Sequence, residues 1–187
     1  MLTLEKSKEL IQKTTTEEHL FAHALGVMAA MGAMAEHFGE DKEHWQAVGY
    51  LHDYDYEQYP TEHLHHTAEP LAREGVSEED IRGILSHGYP HCSDIEPKTN
   101  MEKSLYTVDE LTGIISACAK MRPNGILDLE VSSFMKKFKD LKFAAKCNRD
   151  VIKDGGDRLG MEVKFVSEIC IEGMRPYAAE LGLAPKE

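Results

Sequence analysis

The sequence predicts an all-α protein, and three observations carry that reading. No stretch alternates apolar and polar residues with the two-residue period of a half-buried strand between turns. Helix start and stop signals recur from one end of the chain to the other. Between them, apolar residues such as Trp45, Val48 and Leu51 return every three residues, as one buried stripe of a helix requires.

Taken in order, a short amphipathic helix is expected over about residues 2 to 13. Thr15 and Glu18 form a capping-box pattern for a longer helix that ends near Phe38, before Gly39. Within it Ala22, Ala24, Gly26, Ala29, Ala30, Gly32 and Ala33 leave little bulk, and Met28, Met31 and Met34 recur every three residues, a pattern of close helix packing. The next helix spans about Asp41 to Tyr54. Thr61 opens another that stops at Gly75, and Ser77 with Asp80 starts one that ends around His87. A loop from Gly88 to Asn100 leads into a helix from about Met101 to Lys120. After Pro123, helices are expected near Asp128 to Phe138, Lys142 to Leu159 and Glu162 to Leu181, separated by turns at Asp140 and Gly160.

The chain has 187 residues, which suits a single domain spanning 1–187 with a sizeable core. Its formal charge of −12 repels nucleic acid polymers and anionic membranes alike. A phosphate-bearing partner therefore needs a metal or a local basic site. The opening MLTLEKSKELIQK is amphipathic and charged throughout, and no later stretch is long enough to span a bilayer, so a cytoplasmic location is expected. Cys92, Cys118, Cys147 and Cys170 are scattered without a CxxC pair and read as reduced thiols, with Cys92 beside His91 an ordinary loop cysteine rather than a soft metal ligand.

The chemistry concentrates at His52 and Asp53, with His23 upstream and Asp109 downstream. Adjacent helical residues point about 100° apart, so His52 and Asp53 can embrace one ion only near a helix end, where the pattern puts them. His23 and Asp109 arrive from other helices, the way helical bundles assemble metal sites. The set of His23, His52, Asp53 and Asp109 offers borderline ligands that suit a divalent ion, among Fe, Mn, Zn, Ni and Mg, and leaves room for water.

With these four residues in the order H, HD, D, the chain resembles the HD-domain superfamily of metal-dependent phosphohydrolases over about residues 16–120, with 121–187 as a C-terminal helical extension. The resemblance implies an HD-domain-like helical bundle with additional C-terminal helices, and hydrolysis of a phosphoester or phosphoanhydride of a small phosphorylated molecule, a nucleotide or derivative, by metal-activated water. Some members carry two further histidines that hold a second metal. Here His63, preferred over His65 and His66, and His87 are the candidates. Asp55 and Glu57, just past the doublet, are candidates to orient or deprotonate the water, as is Asp53 itself. The letters Gly88-Tyr89-Pro90 match a motif of one cyclic-di-nucleotide branch, but the surrounding motif is missing and the match reads as coincidence.

Substrate contacts are expected from Thr112, which shares a helix face with Asp109, Gly113 and Ser116, and from a basic island. In that island Lys146 and Arg149, with Arg122 as a further candidate, are placed to clasp phosphate. The same ligand set of four histidines and two aspartates also resembles diiron oxygenases of the same fold. A non-catalytic metal-binding interaction module is the third reading.

Overall fold

The computed structural model describes residues 1–185, and the final two positions of the expected C-terminal extension lie outside the described residues. Nine α-helices and a closing 3-10 turn are joined by loops, with no strand among the described residues. The helices are α1 (Leu4–Ile11), α2 (Glu18–Phe38), α3 (Lys42–Leu51), α4 (Ala68–Arg73), α5 (Glu78–Ser86), α6 (Asn100–Lys120), α7 (Val131–Lys139), α8 (Arg149–Leu159) and α9 (Val163–Met174).

The two long helices, α2 and α6, are the axis of the bundle. They pack on one another, α3 and α9 lie against α2, and α8 lies against α6. Val27, Met31 and Met34 of α2, Val48 and Leu51 of α3, Leu105, Leu111 and Ile114 of α6, Phe134 of α7, Ile152 of α8 and Met174 of α9 share one hydrophobic core. Met28, Met31 and Met34 are all buried in this packing. The thin face of α2 lets α9 approach: a Cβ on Gly173 would sit 2.5 Å from Ala33 Cβ and 2.9 Å from the Ala29 carbonyl oxygen. Only a glycine fits that contact without moving a helix. No described helix is long and apolar enough to cross a membrane.

Helix ends follow local chemistry. Gly39 stops α2 with φ +70°, a left-handed conformation that costs glycine little. Thr99 and Glu102 close a full capping box at the start of α6, and Ser77 caps α5 through the Asp80 amide. The capping box expected at Thr15 and Glu18 does not form. The first residue of α2 is Glu18, Glu17 makes no side-chain cap, and Thr15 is buried. Glu57 does the capping from a distant loop, accepting hydrogen bonds from the Thr16 and Glu17 amides and the Thr16 hydroxyl.

Four expected helices are shorter than their sequence patterns. The one expected from Glu162 to Leu181 ends at Met174 in a 3-10 turn, where Pro176 has no amide hydrogen to continue it. In the other three a side chain takes a backbone group the helix would have used. Helix α3 ends at Leu51 because the His52 imidazole donates from Nδ1 to the Gly49 carbonyl oxygen at 2.8 Å. The stretch 61–67 forms turns because the Leu64 and His66 amides donate to Asp55, with Leu64 at φ +71°. The stretch 140–147 is irregular because its carbonyls turn inward onto Arg149, with Ala144 at φ +46°.

Candidate metal centre

His23 projects from the second turn of α2, His52 caps the C-terminus of α3 with Asp53 next to it, His87 caps the C-terminus of α5, and Asp109 stands midway along α6. His63 comes from the turns that Asp55 organises. The six side chains meet in two groups that share Asp53.

In the first group His23 Nε2 lies 2.9 Å from Asp109 Oδ1, 3.2 Å from His52 Nε2 and 3.5 Å from Asp53 Oδ2. His52 Nε2 is 3.2 Å from Asp109 Oδ1 and 3.3 Å from Asp53 Oδ2. In the second, His63 Nε2 is 3.2 Å from His87 Nε2, and Asp53 Oδ1 lies 3.2 Å from the first and 3.6 Å from the second. One carboxylate thus turns Oδ2 to one pair of imidazoles and Oδ1 to the other. The triads His23, His52, Asp109 and His52, Asp53, His87 are each close enough to hold a metal ion.

The donor chemistry fits cations. His52, His63 and His87 each commit Nδ1 as a hydrogen-bond donor: to the Gly49 carbonyl oxygen, to Asp55 Oδ1 at 2.8 Å and to the Ile84 carbonyl oxygen at 2.6 Å. That fixes the tautomer with the Nε2 lone pair facing the centre, the arrangement a ligating imidazole needs. At His63 and His87 two lone pairs facing one another at 3.2 Å repel unless something positive lies between them, and roughly 3.3 Å is the donor spacing that tetrahedral bonds of about 2.0–2.1 Å impose.

The electrostatics point the same way. Burial opposes charge on His52, yet the Asp53 and Asp109 carboxylates raise its pKa well above the ordinary imidazole value. For His63, burial is outweighed by hydrogen bonds to Asp53 and Asp55, and the pKa climbs to about 9. Burial pushes Asp53 and Asp109 upward, but the surrounding imidazoles win and hold both carboxyls well below the ordinary range. The centre attracts positive charge, which protons supply when no metal does.

Beside it opens a cleft of about 440 Å³, into which His23, Asp53, His63, His87 and Asp109 all face. Leu20, Tyr56, Tyr89, Cys92, Cys147 and Val151 line its walls, with His19, His91 and Glu110 as further polar groups. Cys92 lines the cleft without joining either donor group. Sequence reasoning passed over Glu110, Tyr56 and Tyr89. Glu110 could have been read from its place next to Asp109, and Tyr89 from the Gly88-Tyr89-Pro90 letters, whereas nothing local marks Tyr56.

Several expected site residues have other tasks. Asp55 is only 1% exposed, and both its oxygens are taken, by His63 Nδ1 and the Leu64 amide on one and the His66 amide on the other. It positions His63 and does not reach the cleft. Glu57 engages both oxygens in capping α2 and does not line the cleft. The phosphate clasp at Arg149 is overturned: its buried guanidinium donates to the carbonyl oxygens of Phe138, Asp140, Phe143, Ala144 and Cys147. A cation that satisfies five inward carbonyls is a structural post. Arg122 pairs with Asp128 at 2.7 Å, and Lys146 is exposed; neither lines the cleft. Thr112 is buried, donates to the Asp109 carbonyl oxygen at 3.0 Å, and lines a smaller adjoining groove with His19, His23, Gly113 and Ser116. Of the three neighbouring histidines, His63 faces His87, while His66 stacks on Tyr59 and His65 is exposed.

A helical bundle that gathers four imidazoles and two carboxylates around a shared aspartate is a candidate metal-dependent hydrolase scaffold. The HD domain profile matches residues 20–113, half of the chain, and the chain belongs to that family, which is of the metal-dependent phosphohydrolase type. No curated protein and no solved structure matches it.

Proposed function

We propose that this protein is a metal-dependent phosphohydrolase that splits a phosphate bond of a small molecule, a nucleotide or a derivative of one. The observation that supports it most is Asp53, whose two oxygens face separate imidazole groups, so that two cations could sit side by side under one cleft. His23, His52, Asp53 and Asp109 would hold one ion; His63, His87 and Asp53 the other. Bound there, divalent ions supply Lewis acidity and bring the pKa of water towards neutrality.

The chain's own groups do the rest. The Nδ1 hydrogen bonds of His52, His63 and His87 keep the imidazoles from rotating, so reacting groups meet a fixed centre. The low pKa of Asp53 and Asp109 keeps both ionised across the physiological range. Water adds to phosphorus, the bond from phosphorus to the leaving oxygen breaks with its electron pair on that oxygen, and the water's proton ends on the leaving group.

The test is elemental analysis of the purified protein, then a phosphatase screen over phosphorylated small molecules with several added metals. Turnover that needs metal and vanishes in Asp53→Ala is the expected result. Turnover that survives Asp53→Ala would reject the assignment. A diiron oxygenase is the competing reading, favoured by the same four histidines and two aspartates and by the missing phosphate clasp at Arg149. It goes silent under anaerobic conditions, and a hydrolase does not.

A further inference from the structure

Among the described residues, neither a lysine nor an arginine lines the donor cleft. From this we infer the substrate's charge class, an inference that rests on the hydrolase reading: the substrate is a phosphomonoester whose remaining part is neutral or cationic, and nucleoside di- and triphosphates are disfavoured.

Charge accounting leads there. Two divalent ions would bring four positive charges, of which Asp53 with Asp109 would cancel two and an activated water, as hydroxide, a third. One phosphomonoester dianion then already outweighs what remains. A second or third phosphate would add negative charge next to Glu110, whose Oε2 is fixed in the wall by the Asn148 amide at 2.9 Å. No ammonium or guanidinium of the cleft would meet it, and at short range in a partly desolvated site like charges repel strongly. The guanidinium groups close by are committed: Arg149 to five carbonyls, and Arg158 to Asp154 and Glu96 at 2.6 and 2.7 Å. The net charge of −12 discourages polyanions further.

The remaining walls suit an organic group without charge. Leu20 and Val151 are apolar, and Tyr56 and Tyr89 offer aromatic faces, in a volume that holds a phosphate with a ring-sized substituent. Glu110 would welcome a cationic substituent as readily as it rejects a phosphate.

The experiment uses the full chain loaded with manganese, without an excess of the free ion. Binding of inorganic phosphate, adenosine monophosphate and adenosine 3′,5′-bisphosphate, whose separated phosphates do not chelate the ion as a triphosphate chain does, is measured by calorimetry, and initial rates with the two nucleotides are measured in parallel. The monophosphate is expected to bind, and to be turned over, at least about tenfold better than the bisphosphate. Bisphosphate bound as well or better would overturn the charge inference and leave the hydrolase reading standing. A manganese-loaded protein that binds neither phosphate nor the monophosphate would overturn the hydrolase reading, and this inference with it. Glu110→Gln keeps an oxygen for the Asn148 amide, and Val151→Lys adds a cation to the cleft; each is expected to narrow the preference by about threefold or more. A preference unchanged in whichever variant folds removes electrostatics as its cause.

Discussion

Asp53 faces two imidazole groups, and three of their four rings, His52, His63 and His87, are held at the far nitrogen. The hold on His63 is unlike the other two: it comes from Asp55, a buried carboxylate, where His52 and His87 use backbone carbonyls. Asp55→Ala is therefore expected to weaken the site at His63 and His87 by about 10- to 100-fold in metal affinity while the site at His23 and Asp109 still fills, a difference that metal titration with elemental analysis reads directly. An equal loss at both sites would make Asp55 merely a folding residue. A second buried carboxylate, Asp80, accepts from His44, Ser77 and the Leu2 amide, and so ties the chain start to α3 and α5. The Asp80 hydrogen bond raises the His44 pKa above its ordinary 6.5, so that contribution is complete below about 6.5 and fades as pH climbs through the raised value. Burial pushes Asp80 up, but His44 and Ser77 outweigh it and lower its pKa below 3.8, so its contribution is complete above about 3.8 and is lost as pH falls through the lowered value. Asp80→Asn is expected to cost about 2 kcal/mol, with the gap from the parent widest between about pH 4 and 6.5 in denaturant melts. The positions that converge on the centre, His23, His52, Asp53, His63, His87 and Asp109, were legible in the sequence because ligand chemistry depends on residue type and on which helices can carry it. The tasks of Glu57, Asp55 and Arg149 were not, because each bonds backbone groups whose direction only the folded chain defines.

Helix identity was written more plainly than helix length. The expected bounds of α2, α5 and α6 fall within a few residues of the observed ones, with Gly39 and Ser77 as the end signals that hold, since such signals act over one or two turns. The ends of α3, the turns at 61–67 and the loop at 140–147 escaped, since there a side chain from the same neighbourhood or beyond takes over backbone hydrogen bonding. Contact between elements carries its own prediction. Gly173 of α9 rides on Ala29 and Ala33 of α2, so Gly173→Val forces the helices apart or strains them. A loss of about 1–3 kcal/mol in thermal unfolding is expected, and the His23 side of the centre, on the same α2, should bind metal more weakly. An unchanged melting temperature would show that α9 can slide.

The whole molecule is a set of helices whose ends and faces deliver donors from distant parts of the chain to one point, with α9 packed on α2 and α8 on α6. Metal that binds this assembled point and not the unfolded chain must stabilise the fold. At about 100 times the dissociation constant the gain is about 2.7 kcal/mol, and for a chain of this size the melting temperature should rise by roughly 5–10 °C, reversed by a chelator and absent in Asp53→Ala. A flat melting curve across metals would contradict an assembled centre. The Arg149 post has a further consequence. The stretch it anchors runs from Phe138 to Cys147 and ends in a wall of the cleft, and apart from the Phe138 ring under it the guanidinium contacts only main-chain oxygens there. Beyond Phe138, side chains along that stretch can drift through mutation without loosening the anchor, so selection can recontour one bank of the cleft at Cys147 and retune what enters it while leaving both donor groups in place.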